Sequence, residues 1–163
     1  MRVGAIIGLA VVVTVAPHDA RADERVYENV MVGPLFGFRL SGPAGQRSIL
    51  GVEGGLGFGP ERLNAGHTWR RGESFTYVEL DPWYLVGGTI GVGRSSTGAW
   101  SPVLGVWEGI PILGGESNRH CDAVPDDGWH ATLTLAAGYR YAGVHELYVT
   151  VKGGAMNGYV CFD

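Results

Sequence analysis

Between residues 48 and 58 the chain alternates bulky hydrocarbon with residues that are small or charged. Leu50, Val52, Leu56 and Phe58 fall on one face, and Gly51, Glu53, Gly55 and Gly57 on the other. A period of two belongs to a strand, whose successive side chains point to opposite sides. The pattern returns at 131–141, where Leu133, Leu135, Ala137, Tyr139 and Tyr141 oppose Thr132, Thr134, Gly138 and Arg140. It returns again where Leu147, Val149 and Val151 oppose Glu146, Tyr148, Thr150 and Lys152. No stretch after the N-terminus carries helical periodicity, and no repeat of 20–50 residues is present. The chain is thereby held to an all-β architecture. Glycine reinforces this: 28 of 163 residues are Gly, scattered through apolar stretches without a collagen-like period. Glycine at that level weakens helices, but it is tolerated where strands curve tightly or an inner face is crowded.

Turn signals divide the chain into eight predicted strands, at 29–40, 47–58, 62–71, 74–81, 83–94, 99–112, 129–142 and 145–162. Residues 113–128, polar and rich in Gly, Asp and Asn, form the one long loop. The break at Asp81-Pro82 is the weakest. A second map therefore merges 74–94 into one bent strand and splits the end at Asn157-Gly158, a hairpin signal. The first map is preferred. Because its last strand exceeds one crossing, it implies a bulge near Gly153-Gly154.

The N-terminus is a separate object. Met1-Arg2 is basic, Val3 to Ala16 is an almost unbroken apolar run, and Ala20-Arg21-Ala22 supplies a small-x-small cleavage pattern. In that order these parts read as a secretory signal peptide over residues 1–22. The apolar run is shorter than the roughly 20 residues a helical span requires. Residues 23–163 are then a single exported β domain, and no later segment is long and apolar enough for a transmembrane helix.

Alternation alone fits either a soluble barrel with its apolar face inward or a membrane barrel with that face toward lipid. Three features favour the membrane. The polar face is mostly Gly and Thr, with a few charges of both signs, Arg39, Glu53, Glu79, Arg140 and Lys152. These are the candidates for a charge network across a narrow lumen, since an eight-stranded barrel is only just wide enough for side chains. Aromatics cluster near strand ends (Trp69, Phe75, Tyr77, Trp83, Tyr84, Trp100, Trp129, Tyr139, Tyr141 and Tyr159), as interfacial girdles would require. The segments are also long enough for a tilted crossing of about 9–11 residues.

With the signal peptide, the eight alternating segments, the strand Gly138-Tyr139-Arg140-Tyr141 and the ending Tyr159-Val160-Cys161-Phe162, the chain resembles the small outer-membrane β-barrel proteins of Gram-negative bacteria. The resemblance implies a single antiparallel up-and-down β-barrel of about eight strands in the outer membrane. Such barrels share an architecture rather than a site, so it carries over no functional residues.

The rest of the sequence limits the chemistry. The net charge is −4 and Lys152 is the sole lysine, so no basic patch offers a nucleic-acid surface. Cys121 and Cys161 are the only cysteines, and in an oxidising compartment a disulfide between them is expected. The first strand map puts both at one end of the barrel, while the second separates them beyond bonding reach. His120 adjoins Cys121 without an answering pair, so no metal site is implied. Gly87-Gly88-Thr89-Ile90-Gly91-Val92-Gly93 lacks the helix that a phosphate loop needs. His67 with Glu73 or Ser74, and His145 with Glu146, are the only acid–base pairings that suggest themselves. The second is disfavoured because adjacent strand residues face opposite ways.

The expectation is a non-enzymatic outer-membrane barrel with a structural or surface-interaction role. It needs no cofactor, has outer-membrane lipid as its partner, and offers its loops to a surface ligand. The alternatives are a soluble periplasmic or secreted lipocalin-like barrel holding a small apolar ligand, and a lipid-modifying barrel enzyme.

Overall fold

A computed structural model describes residues 28–41, 47–58, 61–81, 86–113 and 129–157. Eight strands run in chain order: β1 (Glu28–Arg39), β2 (Ser48–Phe58), β3 (Glu61–Arg70), β4 (Glu73–Asp81), β5 (Val86–Ser95), β6 (Trp100–Leu113), β7 (Trp129–Ala142) and β8 (His145–Asn157). Each pairs antiparallel with its neighbour in sequence, and β1 pairs with β8, closing an up-and-down barrel. Closure leaves no unpaired sheet edge, the condition for a sheet placed in hydrocarbon.

Three reversals turn on glycine: Gly72 between β3 and β4, Gly98 between β5 and β6, and Gly143 between β7 and β8. Their φ values of 88°, 92° and 75° lie in the left-handed region that favours a residue without Cβ. These tight turns share one rim, the turn rim. The opposite rim carries Glu28 and Asn157, where β1 begins and β8 ends, and the β6–β7 connection opens from it. β6 and β8 therefore end at one and the same rim. Cys121 and Cys161, residues 1–22, and Trp83, Tyr84 and Tyr159 lie outside the described residues.

The register upholds the preferred strand map at one point and corrects it at another. β4 and β5 pair with each other, Phe75 with Ser95 through Leu80 with Ile90, so 74–94 is a hairpin and not one bent strand. β8 pairs through Gly153 and Gly154 without a register shift, because its described pairing stops at Asn157 and no surplus length has to be absorbed there. The irregularity lies instead in β6, between Pro111 and Leu113, next to the long connection.

The faces are inverted relative to a water-soluble protein. Val32 and Phe58 are each 59 % exposed, Ile90 61 % and Ile110 60 %, whereas Glu53, Arg140, Glu146 and Lys152 are 2 %, 1 %, 0 % and 4 % exposed. Leu50, Val52, Leu56 and Leu104 point outward as well, and Leu133 and Leu135 lie half-buried on that same side. Inside, two small apolar clusters sit among the polar residues, Leu35, Ile49, Trp107, Ala136 and Tyr148 in one and Phe75, Tyr77, Val103 and Ala142 in the other.

Phe75 and Tyr77 are thus not girdle residues. β4 turns Thr76, Val78 and Leu80 outward, so parity sends Phe75, Tyr77, Glu79 and Asp81 into the lumen. Room for the two rings comes from missing side chains: a Cβ on Gly66 would meet the Tyr77 ring, and one on Gly93 would meet the Phe75 ring. Trp69, Trp100 and Trp129 do stand on the outer surface, and Arg94 lies over the Trp100 ring, 5.6 Å from its centroid.

Candidate functional site

The polar face of every strand meets in the lumen, and its charges form a ladder along the barrel. At the turn rim Arg39 of β1 and Arg70 of β3 both reach Glu73 of β4, at 3.8 and 3.7 Å. Arg70 also forms an ion pair with Glu146 of β8, with Nη2 2.5 Å from Oε1. The other oxygen of Glu146 takes Nε of Arg140 on β7 at 3.0 Å. Arg140 stands 3.7 Å from Glu53 of β2, which also accepts the Tyr77 hydroxyl at 2.5 Å and pairs with Lys152 of β8. Lys152 approaches Oδ1 of Asn64 at 3.5 Å, Asn64 donates to Asp81 at 2.5 Å, and Thr89 donates to the other Asp81 oxygen.

Aromatic rings line the ladder. The Arg140 guanidinium lies 4.3 Å from the Tyr77 centroid and 5.0 Å from that of Tyr148, and Arg70 lies 4.6 Å from Phe75. A guanidinium is planar and weakly hydrated, so it can stack on a ring face while its edge donates to carboxylates. Arg70 also donates to the Ala142 carbonyl at 3.2 Å.

The charges balance among the described residues. Arg62, Arg70, Arg140 and Lys152 are buried against Glu53, Glu79, Asp81 and Glu146, and the half-buried Arg39 and Glu73 pair at the rim. Burying an isolated ion is prohibitive, and burying an equal number of interleaved opposite ions is tolerated. The arrangement can hold a lumen shut and fix the distances between walls.

Of the five charges singled out in the sequence, the structure brings Glu53, Arg140 and Lys152 into direct contact and joins Arg39 to them through Glu73, Arg70 and Glu146. Glu79 is buried on the same inner face, and its Oε2 has no hydrogen-bond partner among the described residues. Among the charges whose contacts make up the ladder, sequence reasoning missed Arg70, Glu73, Asp81 and Glu146. Glu146 shares the parity of Lys152 and was findable on that ground. The other three stand at strand ends, where a charge reads equally well as a solvated rim residue.

The acid–base pairings are not assembled. His67 faces outward, where its Nδ1 lies 2.7 Å from Thr76 Oγ1 and its ring meets Trp69 edge-on at 4.8 Å, while Glu73 faces the lumen. The ladder sets Ser74 opposite Trp69, not His67. His145 is exposed and hydrogen-bonded to Tyr139 at 2.5 Å, while Glu146 is fully buried. Gly87–Gly93 is part of β5, and the next described element is β6. Among the described residues no group of three or more His, Cys, Asp or Glu could hold a metal.

No protein-family model matches the chain, and no curated protein matches it. Two solved structures are similar in chain path. One is described as "De novo design of transmembrane beta-barrels", with 13 % identity, coverage of 77 % of this chain and 94 % of the other, and a TM-score of 0.45. The other is the solution NMR structure of the de novo designed TMB2.3, with 11 % identity, coverage of 77 % and 93 %, and a TM-score of 0.46.

Proposed function

We propose that this chain is a non-enzymatic outer-membrane β-barrel, exported by residues 1–22, with a structural or surface-interaction role. One observation carries the reading: the bulky aliphatic residues cover the outside of a closed barrel, and the ionisable ones fill its centre. Water would penalise that surface. At about 25 cal/mol per Å² of apolar area, the outward Val, Leu, Ile and Phe side chains of eight strands oppose an aqueous location strongly. Hydrocarbon favours it, and closure satisfies the backbone. A lipocalin-like binder needs the opposite arrangement, with Leu50, Val52, Leu56 and Phe58 in a dry interior. All four are exposed, from 40 to 59 %.

The charge ladder supports a closed, rigid lumen over a transport path. Each guanidinium in it is engaged with a carboxylate or a ring, and aromatic side chains fill the space between. The barrel then acts as a stable membrane anchor whose rims and connections meet other molecules, with lipid as its constant partner.

The test is extraction and conductance. Washed cell envelopes should release the protein only into detergent, its folded form should migrate faster on a gel before boiling than after, and the purified barrel should pass no steady current in a planar bilayer. Release into salt or alkaline buffer without detergent contradicts the membrane reading. A steady ohmic conductance contradicts the closed lumen.

A further inference from the structure

Glu108 is the exception on the outer surface. It is exposed, points away from the lumen, and stands in β6 between the exposed Val106 and Ile110, with Ile112 and Leu113 beyond. Across the ladder it faces Val86 on β5 and Ala137 on β7. Among the described residues no other outward charged side chain has exposed aliphatic residues on both sides along its own strand. Nor has Glu108 a hydrogen bond or ion pair among them. On the membrane reading, on which this inference rests, a carboxyl group in that position faces hydrocarbon with no partner among the described residues. An ionisable side chain inside the bilayer marks a site where something else supplies the partner.

We propose that the wall around Glu108 is a contact surface between two copies of this barrel in the bilayer, with the two Glu108 carboxyl groups hydrogen-bonded to each other across a twofold axis along the membrane normal. The self-complementarity of the group argues for a second copy. A carboxyl group carrying a proton is both donor and acceptor, so a matching group satisfies it without a separate cation. A twofold contact is self-complementary in the same sense and sets each residue against its own copy at the same depth. Part of the wall beside Glu108 is low: Ala137 is its direct neighbour on β7, and Gly88 lies diagonally across on β5, where an added Cβ would meet only the Gly105 carbonyl, at 3.8 Å. Small residues let two membrane surfaces approach closely enough for such a bond.

The test uses the full chain refolded into phosphatidylcholine vesicles, with Cys121→Ser and Cys161→Ser as background. Single cysteines are introduced at Ala137→Cys, beside Glu108, and at Leu50→Cys on β2, four strands away on the opposite wall. Oxidation should yield a disulfide-linked dimer from Ala137→Cys and little from Leu50→Cys. Adding Glu108→Leu should lower the Ala137→Cys dimer to the Leu50→Cys level, with the heat-dependent gel shift of the folded barrel unchanged. Glu108→Gln, which can still donate and accept, should retain most of it. Equal cross-linking from the two walls, or a dimer indifferent to Glu108→Leu, overturns the proposal and leaves the membrane barrel standing. Loss of the heat-dependent shift in the background protein itself removes both.

Discussion

Arg140 and Glu146 face each other across the β7–β8 ladder, Nε 3.0 Å from Oε2, with both side chains sealed inside the barrel. The same carboxylate holds Arg70 through its second oxygen. One residue therefore ties β8 to both β7 and β3, on different sides of the lumen. Glu146→Gln leaves two buried guanidinium groups short of a counter-charge. Breaking a buried pair from one side costs about 3–5 kcal/mol. The midpoint of urea unfolding in vesicles or detergent should fall accordingly. Combining Glu146→Gln with Arg140→Met should cost less than the sum of the single changes, because the second removes a charge that the first has stranded.

Lys152 offers a chemical test of the inverted interior. It is the sole lysine of the chain, 4 % exposed and engaged with Glu53. An amine-reactive reagent should leave the peptide that contains Lys152 unmodified in the folded protein and label it fully after denaturation. Mass spectrometry reads the ratio. Rapid labelling in the folded state would place the amine in water.

Gly66 and Tyr77 test the packing of the lumen. The Tyr77 ring occupies the space a Cβ on Gly66 would need, and its hydroxyl donates to Glu53. Gly66→Ala should destabilise the barrel by about 1–3 kcal/mol through overpacking. A second change, Tyr77→Leu, should recover part of the packing loss but forfeit the bond to Glu53. The denaturation midpoints of the two singles and the double separate these contributions.

Ile90 tests the outer face. It sits mid-strand in β5 and is 61 % exposed. On a water-facing surface Ile90→Arg would change stability by less than about 0.5 kcal/mol. On a lipid-facing surface near the middle of the bilayer it should cost about 2–4 kcal/mol. Equilibrium unfolding from vesicles distinguishes the two.

Much of the fold was legible because parity is a strong constraint. Once Leu50, Val52, Leu56 and Phe58 share a face, Glu53 must take the other, and a one-residue slip would exchange every side chain. Parity also assigns Arg140 and Lys152 to the same surface as Thr134 and Thr150. It cannot say whether that surface is inside or outside, which depends on how the sheet closes. Phe75 and Tyr77 were misread for a related reason. Their place near a strand end reads as a girdle position, although their alternation with Thr76 and Val78 sets them beside Glu79, and the glycines that make room for them lie on other strands. The ladder partners Arg70, Glu73 and Asp81 could not be separated from ordinary rim charges, because their contacts depend on stagger around the barrel. Long-range stagger leaves no mark in a local window of sequence.

The direction in which the aliphatic face points separates a membrane barrel from a soluble one. Spin labels placed one at a time at Leu50, Ile90 and Val149, in the Cys121→Ser and Cys161→Ser background in lipid vesicles, report collision with oxygen, which concentrates in hydrocarbon, and with a polar nickel chelate, which stays in water. High oxygen and low nickel accessibility at all three positions is the predicted result. Labels open to nickel, or shielded from both reagents, would mean that the face meets water or packs into a dry core, and the membrane barrel would be wrong.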